Sequence, residues 1–279
     1  MQRGSCAAKG RRIALACVGL CACGARAPLW IRGDTVAIPR GSFTMGSADA
    51  DANRNEQPVH RVHVAAFRLD RTEVTVKAYG ECVRAGKCRE PEAFVEEKGN
   101  YRIFCNWRHP EGRAMHPVNC VDFFQASAFC AWAGKRLPTE EEWEYVASGG
   151  EGRKFPWGND EPSPTRLNAC ASECPANLGA KRFPLQTPLF AASDGWPETA
   201  PAGSYPAGAS RHGVLDLAGN VWEWTMSFYA AYDGSNREAK RVLRGGSWGG
   251  GDARTLRTTN RFRLDGEGRG QFLGFRCAK

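Results

Sequence analysis

Histidine is scarce in this chain: five residues, at positions 60, 63, 109, 116 and 212, with no cluster. A mononuclear iron site built on imidazoles is therefore poorly supplied. His60 and His63 fall in an alternating stretch that reads as a strand, where a spacing of three places them on opposite faces. They cannot chelate one ion together. No Cys-x-x-Cys pair follows residue 23, which excludes zinc knuckles. No segment recurs at a fixed period, which excludes solenoids and propellers. The apolar run Ile13–Leu20 is too short to span a bilayer, which takes about 20 residues. Charge excess is lacking too. Although the formal charge is +8, four of the 38 basic residues and none of the 30 acidic ones lie in the first 23 positions. The remainder carries only a small positive excess, which argues against a nucleic-acid partner.

What is present begins with residues 1–23, which have the form of an export signal. Arg11 and Arg12 precede the apolar run, and Leu20-Cys21-Ala22-Cys23 has the pattern of a lipobox. Cys23 would then be acylated, and residues 24–33 would tether a domain over 34–279 to a bacterial membrane. A cut nearby would instead give a secreted protein. Four cysteines belong to the signal. The eight that remain are Cys82, Cys88, Cys105, Cys120, Cys130, Cys170, Cys174 and Cys277. An even count in an exported chain predicts disulfides and an extracytoplasmic location. Cys82–Cys88 and Cys170–Cys174 are near enough in sequence to pair locally.

Thr35–Gly46 alternates and breaks at Pro39-Arg40-Gly41, which predicts a hairpin, and Val59–Asp70 predicts a strand. Thr75 caps a helix carrying Val76, Tyr79 and Val83 on one face. Arg89–Met115 reads as an irregular loop pinned by a disulfide. Asp122 with Gln125, and Thr139 with Glu142, have capping-box spacing and open helices over Asp122–Ala133 and Glu140–Ser148. In the first of these, Phe124, Ala128 and Ala131 line one face. Gly134 supplies its left-handed stop. Trp143 and Tyr145 read as core. Phe155–Tyr205 is loop-like and long enough to need anchors. Two places there and just beyond gather the oxygens that calcium prefers. One joins Asn168 to Asp194, with Asn177 competing for the role of Asn168. The other joins Asn220 and the Val221 carbonyl to Glu223. The same residues would also serve as turn caps. In Arg241–Gly251, RVLRGGSWGGG, a strand runs into Gly245-Gly246 and then Ser247-Trp248. This is either the floor of a cleft or a hairpin with a packed tryptophan.

That stretch is accompanied by GKRLPTEEEWEYVASGG at Gly134–Gly150, FPWGN at Phe155–Asn159, GNVWEWT at Gly219–Thr225 and LGFRCA at Leu273–Ala278. In this order they resemble the formylglycine-generating-enzyme family, or sulfatase-modifying-factor domain, from about Val36 to the C-terminus. The resemblance implies an α+β, loop-rich fold of C-type-lectin-like architecture. It implies up to two structural calcium ions at the two oxygen sets. It also implies a Cys130–Cys277 bridge, which leaves Cys105 with Cys120. A substrate groove would involve Ser247, Trp248, Asn260 and Arg261. Catalytic members oxidise a cysteine with two thiolates that hold copper(I). Those positions fall on Gly250 and Thr255. The related sulfoxide synthases carry a His-x-x-x-His-x-Glu motif on a helical bundle, and neither is present here. The expectation is a non-catalytic, calcium-stabilised module without copper, recognising a peptide, protein or glycan. The alternative is an oxidoreductase acting on a protein cysteine or a small thiol.

Overall fold

The computed structural model describes residues 34–91, 101–174 and 187–279. Cys23 and the segments 1–23 and 24–33 lie outside them, as does Asn177. Strands β1 (Thr35–Ile38), β2 (Gly41–Met45), β3 (His60–Val64) and β4 (Phe67–Asp70) form the entry to the domain. The expected hairpin within Thr35–Gly46 is not formed. β1 pairs with β4 (Thr35 opposite Asp70) and β2 with β3 (Met45 opposite His60). Every pair keeps one antiparallel register, so the four strands are a single ribbon interrupted at residues 39–40 and 65–66. Pro39 has no N–H to donate to the ladder, so it interrupts pairing without reversing the chain. The reversal is the polar loop between Met45 and His60. For the same reason Val59–Asp70 is two strands.

Helix α1 (Val76–Arg84) starts where Thr75 accepts the Ala78 N–H, at 3.2 Å. It buries Val76, Tyr79 and Cys82. A one-turn helix α2 (Pro110–Arg113) lies in the irregular segment closed by Cys105–Cys120. α3 (Phe123–Trp132) and α4 (Glu140–Ala147) both begin with complete capping boxes, Asp122/Gln125 and Thr139/Glu142. The α3 face of Phe124, Ala128 and Ala131 is not the one that packs. Phe123, Ala126, Phe129 and Cys130 are buried, while Phe124 is 53 % exposed. This helix is apolar all round, so periodicity could not choose a face. Contacts from elsewhere choose it: Phe129 stacks on Tyr79 and meets Phe275 edge-on, each at 5.6 Å.

The main sheet has the order β7-β6-β5-β8. Its strands are β5 (Trp222–Ala230), β6 (Arg237–Arg244), β7 (Phe262–Leu264) and β8 (Leu273–Gly274). Only β5–β8 is parallel. Trp224 and Leu243 face each other across β5–β6 and enter the core of α1 and α3. A second core gathers Phe43, Met45, Leu69, Trp143 and Leu217. Among the described residues four disulfides brace the chain: Cys82–Cys88, Cys105–Cys120, Cys130–Cys277 and Cys170–Cys174. The fold is α+β, with much of its length in loops.

Candidate functional site

β6 runs into Gly245 and Gly246, at φ 100° and 78°. Only glycine adopts such angles freely. A side chain at 246 would also meet the Thr255 carbonyl oxygen at 2.9 Å. The chain therefore turns inward, and Trp248 follows it. Its indole is 1 % exposed, packs against Phe104 and Phe272 with centroids at 5.6 and 4.8 Å, and donates from Nε1 to the Gln271 carbonyl at 3.3 Å. Trp248 is thus part of the floor and offers no ring face to a ligand. Ser247 is buried with it.

Asn260 and Arg261 line a cleft of about 350 Å3 together with Asn53, Asn55, Thr255, Trp222 and Phe262. Arg261 is clamped rather than free. Its Nε and Nη2 donate to Glu140 at 2.6 and 2.9 Å, and its guanidinium lies 3.9 Å from the Tyr232 ring centroid. The accessible apolar contact in this cleft is Phe262, 47 % exposed and 5.5 Å from the Trp222 ring. Neither aromatic was singled out from sequence. The available signal was an aromatic on β7 just beyond Asn260-Arg261.

Gly250 and Thr255 face one another. A Cβ placed on Gly250 would lie 3.2 Å from Thr255 Oγ1. The backbone could hold two side chains in contact here, but it presents a hydrogen and a hydroxyl. Thr255 Oγ1 donates to the Asp252 carbonyl at 2.7 Å. All eight cysteines among the described residues are in disulfides. The donor set for copper(I), a soft ion that selects thiolates, is missing from this place.

The two oxygen sets fare differently. Asp194 does meet the Asn168 segment: its Oδ2 accepts the Ala169 N–H at 2.9 Å and its Oδ1 the Trp196 N–H at 3.0 Å. Burial pushes its carboxyl up to about 7, against the two N–H donors that lower it. Among the described residues Asn168 Oδ1 is buried without a hydrogen-bond partner and Asp194 has no counter-ion. A desolvated carboxylate and an unanswered amide oxygen fit a hard cation. In the second set Glu223 is already engaged. Glu223 is held by Arg276, Oε1 to Nη2 at 2.6 Å and Oε2 to Nε at 2.7 Å, and Oε2 also accepts the Trp143 N–H at 2.9 Å. Its oxygens are used by a buried bidentate ion pair. Asn220 instead donates to Glu73 Oε1 at 2.9 Å and accepts the Ala200 N–H at 3.0 Å. Glu73 Oε2 has no hydrogen-bond partner among the described residues. Burial, and then the neighbouring Asp216, raises the Glu73 carboxyl well above the ordinary range. Burial raises Asp216 as well. Glu73 and Asp216 fit a cation beside Asn220 better than Glu223 does. No group of three His, Cys, Asp or Glu converges among the described residues, so amide and backbone oxygens would have to complete either set.

The profile of the sulfatase-modifying factor enzyme 1-like domain matches residues 27–279. The chain belongs to that family. Within it, the chain is 36 % identical to the inactive C-alpha-formylglycine-generating enzyme 2 of Bos taurus, covering 87 % of each. It is 35 % identical to the formylglycine-generating enzyme of Streptomyces coelicolor, covering 87 % of this chain and 88 % of that one. Among solved structures it is similar to PvdO from Pseudomonas aeruginosa, with a TM-score of 0.68 and 25 % identity over 88 % of this chain and 94 % of that one. The matched span includes the capped α4, β5 with the Gly219–Val221 turn before it, and the glycine turn after β6.

Proposed function

We propose that this protein is a non-catalytic, calcium-stabilised binding member of the family, recognising a peptide, protein or glycan in the cleft beside Phe262. The observation that carries this reading is the pair Gly250 and Thr255, which face each other without a thiol. Similarity to a relative whose name marks it as inactive supports it. Similarity to the Streptomyces enzyme makes an oxidoreductase the competing outcome. Four disulfides suit an extracytoplasmic protein. Calcium would be held by Asp194 and Asn168 at one set and by Glu73 and Asp216 at the other. It would supply positive charge to carboxylates whose charged form burial disfavours.

The deciding experiment incubates copper-treated protein with a Cys-x-Pro-x-Arg peptide and reads mass loss at the cysteine. No turnover above a copper-only control is expected. The double variant Gly250→Cys, Thr255→Cys is expected to bind copper(I) where the parent does not. Turnover by the parent would overthrow the binding-module reading.

A further inference from the structure

A second cavity, about 500 Å3, opens between residues 44–49, 144–159 and 257–259. It shares no lining residue with the cleft beside Phe262. Arg153, Lys154 and Arg257 line it. Backbone hydrogen bonds fix them relative to one another. Arg153 N donates to the Ser148 carbonyl at 3.2 Å, and Thr258 N to the Lys154 carbonyl at 3.0 Å. Thr258 Oγ1 donates to the Arg153 carbonyl at 2.7 Å.

Two buried donors in this lining have no acceptor among the described residues: Ser148 Oγ and Arg257 Nε. The residues are 2 % and 3 % exposed. An unanswered buried donor destabilises a fold, and two around one cavity call for an acceptor-rich ligand. The carboxylates paired with the cations sit outside. Asp51, Glu151 and Glu161, bound to Arg257, Arg153 and Lys154, have side chains 61 %, 47 % and 77 % exposed. The Arg153 and Lys154 pairs are solvated enough to be weak and can exchange for a better-placed anion, while Arg257, its side chain 4 % exposed, is paired with an exposed carboxylate. Glu144, the buried acid of the lining, is already engaged by Arg244 and by the Gly46 N–H at 2.7 Å. Asp49 is exposed.

We propose that this cavity binds a small phosphorylated or sulfated molecule by its oxyanion. Ser148 Oγ and Arg257 Nε donate to the anion's oxygens, and Lys154 and Arg153 supply further charge. The cavity falls in the usual range for small-molecule sites and leaves room for an organic group beyond the anion.

The test titrates the full chain with inorganic phosphate at constant ionic strength, with sodium chloride as the replacing salt. Melting temperature and 31P line width are followed. A saturable rise in melting temperature that chloride does not give is expected. Ser148→Ala and Lys154→Gln are each expected to weaken it about tenfold. Without phosphate, Ser148→Ala is expected to be as stable as the parent or more so, because it removes an unanswered hydroxyl. A purely structural serine would lose stability. Arg257→Lys keeps the charge but removes Nε; should it not fold, the other two variants decide. No saturable response to phosphate, or one that Ser148→Ala and Lys154→Gln leave unchanged, overturns the proposal.

Discussion

His116 is 4 % exposed, bonded through Nδ1 to Thr199 Oγ1 at 3.0 Å and set edge-on to Trp196. Burial, reinforced by the adjacent Arg113, lowers its imidazole from 6.5 to about 4. The unfolded chain then binds a proton that the folded chain refuses between those values. Stability is expected to fall as pH drops from about 6.5 toward 4, by on the order of 2–3 kcal/mol. His116→Gln should flatten that part of the profile in denaturant titrations, and an unchanged slope would assign the loss to other groups. Glu73 and Glu223 separate cation binding from ion pairing. Calcium should raise the melting temperature of chelated protein, and Glu73→Gln should remove much of that increment. Glu223→Gln should instead cost about 3–5 kcal/mol with or without calcium, because it leaves Arg276 buried and poorly paired. If Glu223→Gln abolished the calcium increment at little cost to the chelated protein, the assignment from the geometry would fail.

α4 is the element on which the groove depends. Its eight residues carry Glu140 to Arg261, Glu144 to Arg244 and Trp143 to Glu223. The box at Thr139 starts it, with Thr139 Oγ1 accepting the Glu142 N–H at 3.1 Å and Glu142 Oε2 accepting the Thr139 N–H at 2.9 Å. Thr139→Ala should lower unfolding free energy by about 1 kcal/mol and Thr139→Asp much less, as chemical denaturation would measure. Equal losses would point to packing rather than capping. This helix was legible because a cap acts over three residues. The packed face of α3 was not, because an all-apolar helix is oriented by its neighbours.

At the scale of the molecule the C-terminus is a clasp. Leu69 and Arg136 each bridge to Ala278, and Arg68 N donates to the Lys279 carbonyl at 2.7 Å. Cys277 joins Cys130 across 147 residues, fixing α3 to that clasp. Cys130→Ala with Cys277→Ala should therefore cost about 2–5 kcal/mol, since the closed loop spans more than half the chain. Non-reducing unfolding curves measure this. A cost well under about 1 kcal/mol would mean that the packing around Phe129 and Phe275 holds the clasp alone.

The sequence by itself determined the family, the three helix starts, the glycine turn after β6 and the absence of thiols at 250 and 255. Each depends on residue type or on contacts a few positions long, where local sterics and capping decide the outcome. The tertiary structure decided which way buried groups face. Glu223 met Arg276, 53 residues away, instead of standing free beside Asn220 as a calcium oxygen, because the fold buries a guanidinium against it. Trp248 became floor because Gly245 and Gly246 turn the chain inward, leaving Phe262 and Trp222 to line the opening. Burial and long-range pairing are properties of the packed chain, and no window of sequence contains both partners.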